Sequence, residues 1–372
     1  VKPLNLVFVI HNLETGGAEK VFTSLALHFA NSANLTVLLF EDRGFYKTQL
    51  VAAGNIRIVC LSESSGHLSR LRALRSFFRT EKPDRVLSFL EYPGLMVSFA
   101  LRGTSIPHVS SERTNYATYF SSSWADKAKR FLLATVFQRA EAIVAVSQVI
   151  RNHILQYYSV SPEKVQVISN GIRFEALQHL ADASIPDTYQ VPAEPMVLAV
   201  GRLVTDKNYP LLLRAFAMIK PEFPELKLCI LGEGILRQSL ESLAAQLHIQ
   251  QDICMPGFVA NPAPWMKQAS LYVLSSQLEG MPNALIEAMF LNGHVIATDC
   301  PSGPAEIIDH QINGLLVPVD NVQALADAMR KMYADQAFRA NCYQNSRTKI
   351  RQFDFNACIQ KWEQLILKPV VS

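Results

Sequence analysis

The chain predicts an α/β protein built from two doubly wound parallel sheets. Short apolar, β-branched runs alternate with segments of helical spacing, as strands covered on both faces require. That alternation lapses near residues 174–195, where Pro186, Pro192 and Pro195 cluster, and then starts again. The 372 residues are enough for two domains of ordinary size.

In order, the first set of strands is read at Leu4–Ile10, Leu35–Phe40, Ile56–Leu61, Val86–Leu90, His108–Ser110, Ile143–Val146 and Val165–Ile168. Segments such as Ala18–Ala30 and Leu68–Arg79 carry the helices between them. The second set is Met196–Val200, Leu226–Leu231, Ile253–Met255, Leu271–Leu274, Val295–Thr298 and Leu315–Val317, with helices such as Pro210–Ile219 and Leu236–Leu247. The reading divides the chain into a domain over 1–175, a linker over 176–195 and a domain over 196–350. A helical tail over 351–372 follows the completed second domain and is free to cross back to the first. Two such domains facing each other make a cleft, and ligands of open α/β sheets bind at the carboxyl ends of strands.

Composition excludes several classes. A hydrophobic share of 49% and a charged share of 18% belong to a globular chain with real cores. The net charge of +3 is too small to make nucleic acid the main partner. Charge is uneven: residues 1–190 hold 20 Lys/Arg against 15 Asp/Glu, and residues 191–372 hold 15 against 17. The six cysteines are scattered with no C-x-x-C pair, which reads as free thiols in a reducing compartment. No leader pattern follows Leu4–Ile10 and no apolar run spans a bilayer, so the expected place is the cytoplasm.

The stretch from Ser276 to Glu287 sets two carboxylates, Glu279 and Glu287, eight positions apart with a helix start between them. Pro282 suits a first helical turn, and amides near Gly280, Met281 and Asn283 then lie at a positive helix end. Phosphates at one end of a ligand and hydroxyls at both would be served by that set, as in a nucleotide sugar. The same spacing also fits a capped surface helix with two solvated glutamates. Two further loops follow predicted strands. One carries Gly16-Gly17, which allows close backbone approach to a ligand or simply turns the chain into a helix. It has neither the dinucleotide nor the Walker spacing. The other carries Arg202 and Lys207, cations suited to a diphosphate or two solvated charges. Gly257-Phe258-Val259 offers backbone groups to a base.

Together these pieces resemble the retaining GT-B glycosyltransferases, in the branch that builds bacterial cell-surface and lipid-linked glycans. The matching motifs are GGAEK at Gly16–Lys20, GRLVTDKN at Gly201–Asn208, GFV at Gly257–Val259, EGMPNALIE at Glu279–Glu287, SGPAEII at Ser302–Ile308 and NGLLVP at Asn313–Pro318. The resemblance implies two Rossmann-like domains, the first for the acceptor and the second for the nucleotide-sugar donor. It implies that Glu287 holds the ribose and that Glu279 sits at the donor sugar. Gly280, Met281, Pro282 and Asn283 would bind sugar and phosphates, and Arg202 and Lys207 would neutralise the leaving diphosphate. Gly16 and Gly17 would close over the donor, and Phe258 and Val259 would border the base. Glu112 and Arg113 would face the cleft on the acceptor side. Glu279, Arg202 and Lys207 are then the catalytic set. The donor is expected to be a UDP-sugar, the acceptor a saccharide or lipid-linked glycan, the linkage α, and no metal or other cofactor is expected.

Residues 66–85 hold six cations against Glu81 and Asp84, with Leu68, Leu71, Leu74, Phe77 and Phe78 at helical spacing. Such a helix either lies on anionic lipid at the cytoplasmic face of the inner membrane or packs its apolar face on a sheet. Trp124, Lys127, Lys129, Arg130 and Phe131 form a second basic-aromatic stretch. Rival readings are an epimerase or phosphorylase on the same architecture, or an inert sugar- or partner-binding scaffold.

Overall fold

The computed structural model describes residues 3–61, 66–114, 123–189, 191 and 195–368. Residues 190 and 192–194 of the expected linker and 369–372 of the tail lie outside the described residues. The chain forms two compact units, Val1–Gly171 with Ala357–Ser372, and Ile172–Asn356.

In the first unit the strands are β1 (Asn5–Ile10), β2 (Asn34–Leu39), β3 (Ile56–Cys60), β4 (Arg85–Phe89), β5 (His108–Glu112), β6 (Ala142–Ala145) and β7 (Val165–Val167). Among the described residues they make one parallel sheet in the order β3-β2-β1-β4-β5-β6-β7. The helices are α1 (Gly17–Phe29), α2 (Lys47–Ala52), α3 (His67–Glu81), α4 (Glu91–Ala100), α5 (Trp124–Arg139) and α6 (Gln148–Tyr157). Strand alternation sorts the core. Val7, Val9, Leu38 and Val86 pack with Leu74 and Phe78 of α3 and with Met96 and Val97 of α4. Phe8 packs edge-on to Phe22 and Phe29 of α1, with ring centroids 6.2 and 5.6 Å apart.

Helix α3 therefore spends its apolar positions Leu74 and Phe78 on the sheet, and Arg85 is a buried residue of β4. What α3 leaves in water along this stretch includes Arg72, Arg75 and Arg79. Among the described residues no helix is long and apolar enough to cross a membrane.

The second unit opens with α7 (Phe174–Ala181). Its strands are β8 (Met196–Val200), β9 (Lys227–Leu231), β10 (Ile253–Gly257), β11 (Leu271–Leu274), β12 (Val295–Thr298) and β13 (Leu315–Val317). Among the described residues they form a parallel sheet in the order β10-β9-β8-β11-β12-β13. Helices α8 (Tyr209–Ile219), α9 (Arg237–Gln246), α10 (Ala263–Gln268), α11 (Asn283–Leu291), α12 (Pro304–Ile307), α13 (Val322–Ala334) and α14 (Gln336–Lys349) wind around it. Leu212, Phe216, Leu325 and Met329 from α8 and α13 join Val197, Leu228, Val273 and Ile296 in its core.

The chain changes unit between Gly171 and Ile172, ahead of the proline-rich segment 176–195. Helix α7 belongs to the second unit because Leu177 and Ala181 are buried and Phe174 stacks on Phe290 of α11, ring centroids 4.5 Å apart. Ile172 is held by backbone bonds to Phe353 and Phe355, at 2.8 and 3.0 Å.

The last helix, α15 (Phe355–Ile366), begins in the second unit and continues in the first from Ala357. In the first unit Trp362, 1% exposed, stacks on Phe89 at 6.1 Å. His28 of α1 lies 2.8 Å from Glu363. Arg85 grips Glu141 through Nε and Nη2, both at 3.1 Å, and donates from Nη1 to the carbonyls of Ile366 and Lys368 at 2.7 and 2.9 Å. A cation placed on the orphan carbonyls of a helix end satisfies them and complements the dipole.

Trp362→Ala should remove about 3–5 kcal/mol from the first unit, the usual cost of emptying a large aromatic site. Urea unfolding followed by far-ultraviolet circular dichroism should show the loss, and an unchanged midpoint would mean that α15 does not complete that core.

Candidate active site

Strand order reverses once in each sheet, between β1 and β4 in the first and between β8 and β11 in the second. At such switch points the loops leave the strand ends in opposite directions and open a crevice at the carboxyl edge. In the second unit the two flanking loops are 201–208 and 275–282, the ones that carry Arg202, Lys207 and Glu279.

The structure joins Lys207 to Glu279. Lys207 Nζ donates to Glu279 Oε1 at 2.5 Å, and Ser276 Oγ donates to the same oxygen at 2.6 Å. The side chains are 21% and 10% exposed, so the pair is shielded on most sides and open on one. Backbone bonds fix both loops. Ser275 Oγ donates to Lys207 O at 2.8 Å, and Gln277 N donates to Asp206 O at 2.8 Å. Thr298 Oγ1 at the end of β12 donates to Ser276 O at 2.5 Å. Lys207 closes a 3₁₀ turn over Thr205–Lys207, and Asn208 then takes a left-handed φ of 46° to start α8. Asn tolerates that conformation better than most residues. Beneath the pair, burial and the nearby Glu279 charge push the Cys300 thiol up to about 12. The same two causes push the buried Tyr209 phenol up, and its hydroxyl donates to Gly201 O at 3.0 Å. Both groups stay neutral under the carboxylate.

Helix α11 starts at Asn283 with Pro282 as its cap, one residue outside the first turn where the proline was expected. Glu287 is thus about one turn into the helix. Its side chain is buried, 3% exposed, and so is Met281. Solvated surface glutamates are not what this motif contains. Gly280, Met281, Pro282 and Asn283 run from Glu279 into the helix start, where Leu285 N and Ile286 N donate to Pro282 O at 3.1 and 3.3 Å.

Two residues with no role foreseen by residue chemistry hold this turn. Ser302, at φ 66°, donates from Oγ to Glu279 O at 2.5 Å. Gly303, at φ 91°, lies so close to the turn that a Cβ would stand 2.7 Å from Pro282 Cδ and 3.0 Å from Gly280 O. The S-G-P tripeptide was a visible turn signal, but its target could not be read from local sequence. Likewise a Cβ on Gly232 would fall 2.0 Å from Gly201 O, which explains the glycine after β9.

The other expected site residues are placed as follows. Arg202, at the start of the 201–208 loop, is exposed. Phe258 is 42% exposed and Val259 buried, just past β10. In the first unit Gly16 caps α1 and Gly17 is its first residue, on the loop after β1 at the other switch point. That loop is pinned to the next by Leu13 N to Arg43 O and Tyr46 N to Leu13 O, both 3.0 Å.

Glu112 and Arg113, expected to face an acceptor, are inside the first unit, 1% and 7% exposed. Ser110 Oγ donates to Glu112 Oε1 at 2.8 Å. Arg113 donates to Ser111 Oγ at 3.0 Å and to Asn170 Oδ1 at 2.5 Å, and lies over the rings of Phe89 and Trp362. Burial pushes its guanidinium down to about 9, still cationic at neutral pH. His108 is buried beside Ser88 Oγ at 2.8 Å, and burial pushes it down to about 3, so it is neutral.

Comparison with known proteins agrees with this architecture. Residues 184–349 match the model of "Glycosyl transferases group 1", and residues 15–176 match that of "Glycosyltransferase Family 4". The second unit thus matches the group 1 glycosyltransferases over most of its length, and the chain has the GT-B fold. It is 28% identical over 357 residues to the N-acetylgalactosamine-N,N'-diacetylbacillosaminyl-diphospho-undecaprenol 4-alpha-N-acetylgalactosaminyltransferase of Campylobacter jejuni, covering 93% of this chain and 94% of that protein. A second transferase of that organism, acting on GalNAc-alpha-(1->4)-GalNAc-alpha-(1->3)-diNAcBac-PP-undecaprenol, is 26% identical over 98% of each chain. Among solved structures, Anabaena Alr3699/HepE in complex with UDP superposes with a TM-score of 0.83 at 20% identity, covering 98% of this chain and all of that one.

Gly303→Ala should destabilise the second unit by at least about 1–2 kcal/mol from the backbone alone, with the Pro282 contact adding to it, and lower the thermal midpoint. An unshifted midpoint would show that the 279–283 turn gives way freely. For His108 the sign is fixed by its depressed folded value. The unfolded chain takes up the proton near 6.5 and the folded chain only near 3. The stability contributed is whole above 6.5 and is lost as pH falls toward 3, with a slope of up to about 1.4 kcal/mol per pH unit. His108→Gln should flatten the acid limb of a stability-versus-pH series.

Proposed function

We propose that this protein is a retaining glycosyltransferase that moves a sugar from a UDP-sugar to a lipid-linked glycan, in α linkage, during assembly of cell-surface glycans. The Lys207–Glu279 pair at the β8/β11 switch point, beside the start of α11, carries the reading. Support comes from the two Campylobacter relatives, whose names specify α linkages and diphospho-undecaprenol acceptors. The structural neighbour with bound UDP supports the donor base.

In this reading the diphosphate lies at Arg202, Lys207 and the first amides of α11. Glu287 holds the ribose hydroxyls, Phe258 and Val259 border the base, and Gly280, Met281, Pro282 and Asn283 line the sugar and phosphates. Gly16 and Gly17 give the backbone close access to the donor. Glu279 accepts hydrogen bonds from the sugar. When the bond from the anomeric carbon to the phosphate oxygen breaks, its electron pair goes to the phosphate. Fixed cations and amides stabilise that charge where it develops. The acceptor oxygen bonds to the anomeric carbon on the same face, and its proton leaves on the departing UDP. With charge neutralised by side chains, the step needs no metal. Glu112 and Arg113 shape the carboxyl end of β5 from behind on the acceptor side. A place at the cytoplasmic membrane face follows from a lipid-linked acceptor.

Thermal shift with UDP, GDP and ADP tests the donor, since a ligand of the native state raises the midpoint by mass action. UDP alone should stabilise the protein. Glu287→Ala should weaken UDP by about 10- to 100-fold, the worth of hydrogen bonds to a charged group. Lys207→Ala should lower kcat by about 10²–10³ and leave the fold intact. Turnover should persist in EDTA, and the anomeric coupling of the product should show retention. A shift with another base, or inverted product, would overturn those parts of the reading separately.

A further inference from the structure

Two cysteines of the second unit stand opposite each other. Cys229 of β9 and Cys254 of β10 are register partners in neighbouring parallel strands, and β10 is an edge strand of the sheet. Register partners in a parallel pair share a face of the sheet. Cys229 is 0% exposed, whereas Cys254 is half-buried. Cys254 also lines a cavity of about 520 Å³, together with Met255 and Pro256 of its own strand and Thr188, Tyr189 and Val191. The Cys229 thiol donates a hydrogen bond to the Cys254 sulfur. That bond, with the Arg237 guanidinium nearby, pulls the Cys254 thiol down, while the same bond and burial push Cys229 up. Arg237 is held there by donating from Nη2 to Met255 O at 2.7 Å. One member of the pair is thus reachable and inclined to ionise, and the other is a buried thiol in contact with it. The thiolate is the form that reacts with peroxide, and an adjacent thiol resolves the product.

We propose that Cys229 and Cys254 are a modification site for peroxide, which joins them in a reversible disulfide across the edge of the second sheet. The Cys254 thiolate attacks one peroxide oxygen. The S–O bond forms, the O–O bond breaks, and its electron pair leaves as hydroxide, which takes up a proton to become water. The Cys229 sulfur then attacks the Cys254 sulfur. The S–S bond forms, the S–O bond breaks, and the hydroxyl leaves as water with the Cys229 proton. Both thiols are oxidised and the peroxide is reduced to water. Neighbouring strands lie about 4.8 Å apart, within the roughly 4.4–6.8 Å between Cα atoms that a disulfide spans, but its Cβ atoms prefer about 3.8 Å. Joining the pair therefore pinches β10 toward β9, and a bridge strained in this way is easily reduced again. The strand is already irregular there, its register shifting between Cys254 and Gly257. Gly257 O accepts from Gly232 N at 2.8 Å and leads into Phe258 and Val259. Under the proposed function those residues border the base, so oxidation reaches the donor site through the backbone of β10. Only this consequence rests on that reading.

Peptide mapping tests the pair directly. The reduced, folded chain is treated with stoichiometric hydrogen peroxide, the remaining thiols are alkylated, and the protein is digested without reductant. Trypsin cuts after Lys227, Arg237 and Lys267, so each cysteine lies in its own peptide, residues 228–237 and 238–267. Mass spectrometry should find these two peptides joined and lighter by two hydrogen atoms than their sum, and dithiothreitol should separate them. Cys254→Ser should give no joined peptide. Cys229→Ala should stop at the sulfenic acid of Cys254, trapped as its dimedone adduct. In the unsubstituted chain, three results would overturn the proposal: peroxide leaving both thiols free, Cys254 accumulating as sulfenic or sulfinic acid without joining Cys229, or joining only after unfolding in urea. The rise in thermal midpoint that UDP gives the reduced protein should shrink on oxidation and return with dithiothreitol. A joined peptide with an unchanged UDP response would overturn the link to the donor site. If the reduced protein does not respond to UDP at all, the donor reading fails, while the joined peptide still decides the pair.

Discussion

The contact between Lys207 and Glu279 sets the geometry of the second unit's working edge. Each residue sits on a loop leaving a strand of opposite winding, and their junction closes the crevice that strand order alone leaves open. An ion pair with both side chains mostly shielded needs further hydrogen bonds to offset desolvation. Ser276 supplies one at the shared oxygen, and Ser275, Gln277, Thr298 and Ser302 fix the backbones that present the charges. The pair is thus pre-positioned, and the diphosphate of the proposed donor would meet cationic charge that needs little rearrangement.

Close backbone packing serves the same end. Gly232 lies against Gly201, and Gly303 lies against the 280–282 turn, at distances a single methyl would violate. Loops from β8, β9, β11 and β12 can converge on one small volume only because side chains are missing where they cross. Both glycines also hold positive φ, so a substitution meets backbone strain as well as contact.

Strand placement was legible because buried parallel strands are written as continuous apolar runs, and every strand from β1 to β13 lies within a residue or two of its run. Glu279, Lys207 and the helix at Asn283 were legible as loop chemistry after strands. What was not legible depended on distance across the chain. Ser302 and Gly303 act on residues 20 or more positions away, and nothing local says so. The apolar face of α3 was visible in sequence, but whether it met lipid or sheet was decided by β1, β2 and β4. Arg113 was expected to face the cleft on the acceptor side, yet Asn170, Phe89 and Trp362 surround it. The proline-rich segment suggested a linker, while Phe174 and Leu177 had already committed α7 to the second unit.

Helix α15 imposes an order of events on synthesis. Arg85 and Phe89 lie in the middle of the first sheet, but the partners that cover them, Trp362 and the carbonyls at the end of α15, follow them by about 280 residues, after the whole second unit. The first unit cannot finish its core while the ribosome is still making the second. While the second unit is being made, that face stays uncovered. The first unit is therefore the part of the nascent chain that stays incomplete until α15 has been made.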